Sequence, residues 1–192
     1  MAYSWHQASE MTQLIIFLSG WAGSGKDTGA ELLIEEMGFH RVSFADSLKE
    51  AVAISTCFPL GIFHDARRKN DPLPTPHKKY PECKTYRDIL IAEAAAQRSK
   101  DPDIYVRAAS KKIRNQRIVI TDWRYPNEHT FIKEAFPNAT IVTIRIDRQN
   151  VTPMTDISEH LLDDYAFDVR VSNDGTITDL RYAIKYAIHS YL

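Results

Sequence analysis

Residues 14–28 read Leu14-Ile15-Ile16-Phe17-Leu18-Ser19-Gly20-Trp21-Ala22-Gly23-Ser24-Gly25-Lys26-Asp27-Thr28. Five consecutive apolar residues ending in Ser-Gly predict a short strand buried on both faces. Gly20 to Lys26 then fits G-x-x-x-x-G-K. Residues 26–37 predict a helix that buries Ala30, Leu32, Leu33, Ile34 and Met37 and stops at Gly38. The glycines have a physical purpose, because backbone N–H groups turned inward to hold phosphate oxygens leave no room for a Cβ. The helix start adds partial positive charge, and Lys26 is placed to reach the outer phosphates. Asp27 stands where a Ser or Thr normally ligates Mg²⁺, and Thr28 follows it.

Outward from this loop, strands alternate with helices. Residues 41–44 form the next short strand, and Asp46 or Ser47 can cap a helix to about Ser55. Helical patterns occupy residues 85–98, 103–115, 126–135 and 178–191, and strand-like runs residues 117–121, 140–146 and 168–171. This order implies an α/β domain, in three layers, around a mostly parallel sheet. One domain over residues 1–192 is expected, with 1–12 a leader that contributes little. Residues 57–84 hold five prolines, many charges and no apolar period, which predicts a long loop, mobile and functional or else disordered. Residues 147–165 are polar and irregular, as a lid would be.

Composition narrows the function. With 24 basic against 25 acidic side chains the formal charge is −1, so polymeric nucleic acid and membrane surfaces are not expected partners. No apolar run approaches the ~20 residues of a membrane span. Two cysteines, Cys57 and Cys83, make no disulfide framework, and a reducing cytoplasmic setting is the default.

From Phe17 to Thr28 the chain resembles the deoxynucleoside monophosphate kinases of phages and large DNA viruses. Further similar blocks follow in order: Phe44-Ala45-Asp46-Ser47-Leu48-Lys49, Thr85-Tyr86-Arg87, Ile120-Thr121-Asp122-Trp123-Arg124 and Val171-Ser172-Asn173-Asp174-Gly175. The adenylate-kinase type of P-loop protein also lacks the hydroxyl at the position of Asp27. Phosphomevalonate kinases share Gly25-Lys26-Asp27 and an Asp-x-Arg after the later strand. Ser47 stands where the viral pattern often has proline, and Ala94 and Ala95 where it often has glycine. The resemblance implies a P-loop NTPase fold and transfer of a phosphoryl group from ATP, with Mg²⁺, to a nucleoside monophosphate. It also suggests a homodimer. An acceptor such as phosphomevalonate, or a non-catalytic ATP-driven switch, are the rival readings.

The candidate residues follow from position and resemblance together. Gly23, Ser24, Gly25, Lys26, Asp27 and Thr28 would hold the ATP phosphates. Asp122 ends a buried strand at the edge where α/β proteins bind ligands. With Thr28 it would hold Mg²⁺, and with Lys26 and Arg124 it would flank the transferred phosphoryl, unless it only caps the helix at Pro126. Lys49 and Arg87 are the acceptor-phosphate candidates, an arginine fork suiting a dianion. Glu128 contacts base or sugar, or else complements a helix dipole. Arg98 is an anion ligand or a helix C-terminal cation. Arg145 and Arg148 lie at the lid root, where closure would carry positive charge onto ATP, or are surface charges. Glu159 and His160 allow a weak metal-site reading. Asn173 and Gly175 line an adenine pocket or form a turn.

Overall fold

The computed structural model describes residues 12–153 and 156–192. The expected leader, Thr12 apart, and two residues of the expected lid, Met154 and Thr155, lie outside these. Five strands, β1 (Leu14–Ser19), β2 (His40–Val42), β3 (Arg117–Ile120), β4 (Thr140–Asp147) and β5 (Val169–Ser172), form one sheet in the order β2-β3-β1-β4-β5. Every pairing is parallel.

Alternation along β1 explains the layers. Leu14, Ile16 and Leu18 face one side, where α1 (Lys26–Met37) and α7 (Ile177–Ile188) cover them through Leu33, Leu180, Ile184 and Ile188. Ile15 and Phe17 face the other, against Leu48 and Val52 of α2 (Ala45–Thr56), Ile89 of α4 (Tyr86–Arg98), Val106 of α5 (Ile104–Ser110) and Ile132 of α6 (Pro126–Ala135). All six β1 residues are buried. Each large side chain hidden this way contributes about 1.5–3 kcal/mol, so the loop that leaves β1 springs from a fully buried strand. The fold class is the expected one, an α/β sandwich with a P-loop between β1 and α1.

Parallel pairing brings strand ends to one edge. Ser19 lies beside Arg145, Phe17 beside Ile120, and Asp147 beside Ser172. Gly20, Asp122, Arg145 and Asn173, far apart in sequence, therefore gather at the carboxyl edge.

Some boundaries move. The region 57–84 is no plain loop: it folds a short helix α3 (Leu60–His64), which buries Ile62 and Phe63, and a 3₁₀ turn at Arg68–Asn70. A single turn buries two side chains, too few for a period to show in sequence. The α5 helix stops at Ser110 rather than Asn115, and the closing helix at Ile188, followed by a 3₁₀ turn at His189–Tyr191. Asp168 precedes β5 because its carboxylate accepts hydrogen bonds from Thr143 N (2.8 Å) and Oγ1 (2.7 Å). Helix α2 is capped by neither Asp46 nor Ser47.

Candidate active site

The P-loop is a backbone cradle. Gly25 sits at φ +103°, and a Cβ on it would lie 2.2 Å from Asn173 Nδ2. At Gly20 a Cβ would lie 2.4 Å from Ile146 O and 2.5 Å from Ser24 Oγ. Only glycine fits either place. Lys26 Nζ folds back to donate to Gly20 O (2.7 Å) and Trp21 O (2.8 Å). Burial first, then the neighbouring Arg124 charge, lower its pKa from 10.5 to about 8. Asn173, buried at the end of β5, donates from Nδ2 to Ser24 O at 2.8 Å. It braces the loop from beneath through its amide N–H. Ser24 Oγ is buried without a hydrogen-bond partner.

Asp122 does not cap the helix at Pro126. Its Oδ1 accepts from Phe44 N (2.9 Å) and its Oδ2 from Ser43 Oγ (2.7 Å) and Ala45 N (2.8 Å). A carboxylate just past β3 thus caps α2 from the neighbouring strand's end, which sequence spacing could not reveal. Asp46, the expected cap, pairs with Arg41 (3.0 Å) and Lys49 (3.3 Å).

Glu128 faces inward, its side chain 1% exposed. Its Oε2 accepts from Arg124 N and Tyr125 N, both 3.1 Å, and its Oε1 pairs with Arg98 at 3.0 Å. Burial raises its pKa from 4.5 to about 7, with Arg98 pulling the other way. Arg98 is committed to the Glu128 carboxylate, and its guanidinium stacks on the Tyr125 ring, 3.9 Å from the centroid.

The expected lid brings acid, not base, to the loop. From the turn at Ile157–Glu159, Glu159 Oε2 accepts the Ala22 N–H at 2.8 Å and the carboxylate pairs with Arg124. Asp163 Oδ1 accepts from Trp21 Nε1 (3.0 Å) and Arg145 Nη2 (2.9 Å). Arg145 is buried and held also by Asp147 and Ser19, as a buried charge must be paired. Arg148 is exposed, its charge felt at Asp174. His160 Nδ1 contacts Asp163 Oδ2 at 2.9 Å. Among the described residues no group of three or more His, Cys, Asp or Glu could hold a metal ion.

Lys69 lies within the electrostatic reach of Lys49, Arg87 and Arg124, and of Asp27 at the start of α1. Arg87 Nε donates to Asn70 Oδ1 at 2.7 Å, tying α4 to the 3₁₀ turn that carries Lys69. Burial, then Arg87, Lys49 and Arg124, push the Lys69 pKa down, while Asp27 pulls it up. The sequence reading missed Lys69, one of three basic residues in a charged stretch, and Ser43, Asn70 and Asp163. Glu159 entered it only through a pairing with His160. A short basic run is ordinarily a solvated surface, so nothing local singled out the middle one.

No protein-family model matches the chain, and no curated protein sequence matches it. Among solved structures it is similar to an APS kinase of Mycobacterium tuberculosis, at 12% identity over 93% of this chain and 98% of that one, TM-score 0.47. It is also similar to a gluconokinase from Sinorhizobium meliloti 1021 (11%, 94% and 93%, 0.49) and a dephospho-CoA kinase from Campylobacter jejuni (14%, 92% and 96%, 0.48). Among the described residues no helix is long and apolar enough to cross a membrane.

Proposed function

We propose that this chain is an ATP-dependent phosphotransferase whose acceptor is a nucleoside monophosphate. One observation supports the reading: Arg124 acts on Lys26 of the cradle, and Arg124, Lys49 and Arg87 all act, with Asp27 of α1, on Lys69, so that a second group of cations adjoins the cradle. A bare nucleotide switch has no use for the second group.

The residues present suit a polyphosphate. Gly20 and Gly25 leave the cradle open, Ser24 Oγ lacks a partner, and Lys26 is parked on carbonyls it can exchange for phosphate oxygens. Arg124, beside Lys26, would meet charge developing on the transferred group. Lys49 and Arg87 would hold the acceptor phosphate. Its dianion is already a competent nucleophile at neutral pH, so no general base is needed.

Mg²⁺ carried on the phosphates would neutralise their charge when bound. Thr28 supplies a hydroxyl for it, and Asp122, with both oxygens tied to the β2–α2 turn, is left with contact through water.

An ADP-release assay across the common dNMPs, NMPs and phosphomevalonate tests the proposal. Turnover with one or more nucleoside monophosphates is expected. ATP binding with no turnover on any monophosphate would refute the kinase reading, and turnover on phosphomevalonate alone would refute the nucleotide acceptor.

A further inference from the structure

Lys69 is the inward member of Arg67-Arg68-Lys69: its neighbours are exposed and it is half-buried. The chain fixes it from both sides. Asp65 Oδ1 accepts from Arg67 N (2.8 Å) and Arg68 N (3.3 Å), setting the start of the turn. Asn70, the next residue, donates to Ala66 O (3.1 Å) and accepts from Arg87 Nε (2.7 Å). Yet the Lys69 ammonium itself has no hydrogen-bond or ion-pair partner among the described residues.

This arrangement is electrostatically unfavourable without a ligand. A half-buried amine loses hydration and lies within the fields of Lys49, Arg87 and Arg124. The acids on hand do not relieve it. Asp46 is shared between Arg41 and Lys49, Glu159 is spent on Arg124 and the Ala22 N–H, and Asp27 is exposed on the first turn of α1. An anion bearing two charges, seated beside Lys69, would give its ammonium the partner it lacks.

We infer that Lys69, with Lys49 and Arg87, forms the seat for the acceptor's phosphate dianion, so that the site selects phosphomonoesters over neutral hydroxyl acceptors. This rests on the kinase reading above for the acceptor's role, but the anion seat can be tested without turnover.

The test is brief acylation of the folded protein with acetic anhydride near pH 8, each lysine followed by mass spectrometry. The probes are dGMP and dTMP, the nucleosides deoxyguanosine and deoxythymidine, and ATP, each added alone, with dGMP and dTMP also added alongside ATP. The monophosphates should slow Lys69 acylation about tenfold, as expected for a charge-assisted contact, with the nucleosides and ATP alone having little effect. In turnover, Lys69→Met should raise the acceptor KM about 10–100-fold, with the ATP KM within twofold and partial recovery in Lys69→Arg. Protection by ATP alone would make Lys69 a donor ligand and overturn the inference. So would turnover with an unchanged acceptor KM in a folded Lys69→Met. Protection by monophosphates without turnover on any of them would uphold the seat and overturn the kinase reading instead.

Discussion

Arg124 and Glu159 form an ion pair across the mouth of the P-loop, and the two partners are unequally buried. The Arg124 side chain is 36% exposed and that of Glu159 1%. The carboxylate also accepts the Ala22 N–H, so an internal anion lies where the loop would meet the outer phosphates.

That asymmetry orders two substitutions. Arg124→Ala leaves a buried carboxylate with one backbone donor, at a cost of about 3 kcal/mol. Glu159→Gln leaves a guanidinium that can turn to water, at a cost of about 1 kcal/mol. Urea unfolding of both variants checks the order, and a larger loss in Glu159→Gln would show that the pair is not held as described.

Lys26 couples protonation to ligand binding. Its pKa of about 8, set by burial and then Arg124, leaves it largely neutral at pH 8.5, and phosphate oxygens favour the charged form. ATP binding at that pH should therefore take up a fraction of a proton, visible in calorimetry as a heat that varies with buffer ionisation enthalpy. Lys26→Ala should abolish the uptake and lower kcat about 10²–10³-fold. A buffer-independent heat in the native protein would separate Lys26 from the phosphates.

How much of this was legible beforehand differs by region. The path from Leu14 through Lys26 to Met37 was readable because strand, turn and helix each leave a local pattern there. The Lys49 and Arg87 positions came from resemblance. What stayed hidden were partners made by the fold: Asp122 with the backbone of Phe44 and Ala45, Glu159 with Ala22, Asn173 with Ser24. Each joins residues more than 70 positions apart through a single side chain, and sequence spacing carries no information about that.

Asn173 and Gly25 should act on the donor side alone. Asn173→Ala removes the amide that supports Ser24 O, a buried hydrogen bond worth about 1–3 kcal/mol when one partner is orphaned. The ATP KM should rise while the acceptor KM stays near its native value. Gly25→Ala places a methyl against the Asn173 amide at a positive φ, and nucleotide binding by fluorescence titration should be lost outright. Normal ATP affinity in Gly25→Ala would mean that the cradle does not hold phosphate.

Glu128 gives the stability of the chain a distinctive pH dependence. Two influences compete at its carboxyl group: burial raises the pKa, and the Arg98 guanidinium 3.0 Å away lowers it, with burial ahead and a folded pKa of about 7 against 4.5. The folded state then binds the proton more readily than the unfolded chain between these values. By linkage, the contribution of Glu128 is fully present below pH 4.5 and lost as pH rises through about 7. Other carboxylates, among them Asp46, Asp163 and Asp88, are held below their usual range and act in the opposite sense, so the native protein alone cannot isolate the effect. The difference from Glu128→Gln can, because glutamine does not titrate. Measured by urea unfolding from pH 4.5 to 7.5, that difference should shift in favour of the glutamine variant by up to about 3 kcal/mol. A shift in favour of the native protein would mean that the Arg98 pair outweighs burial.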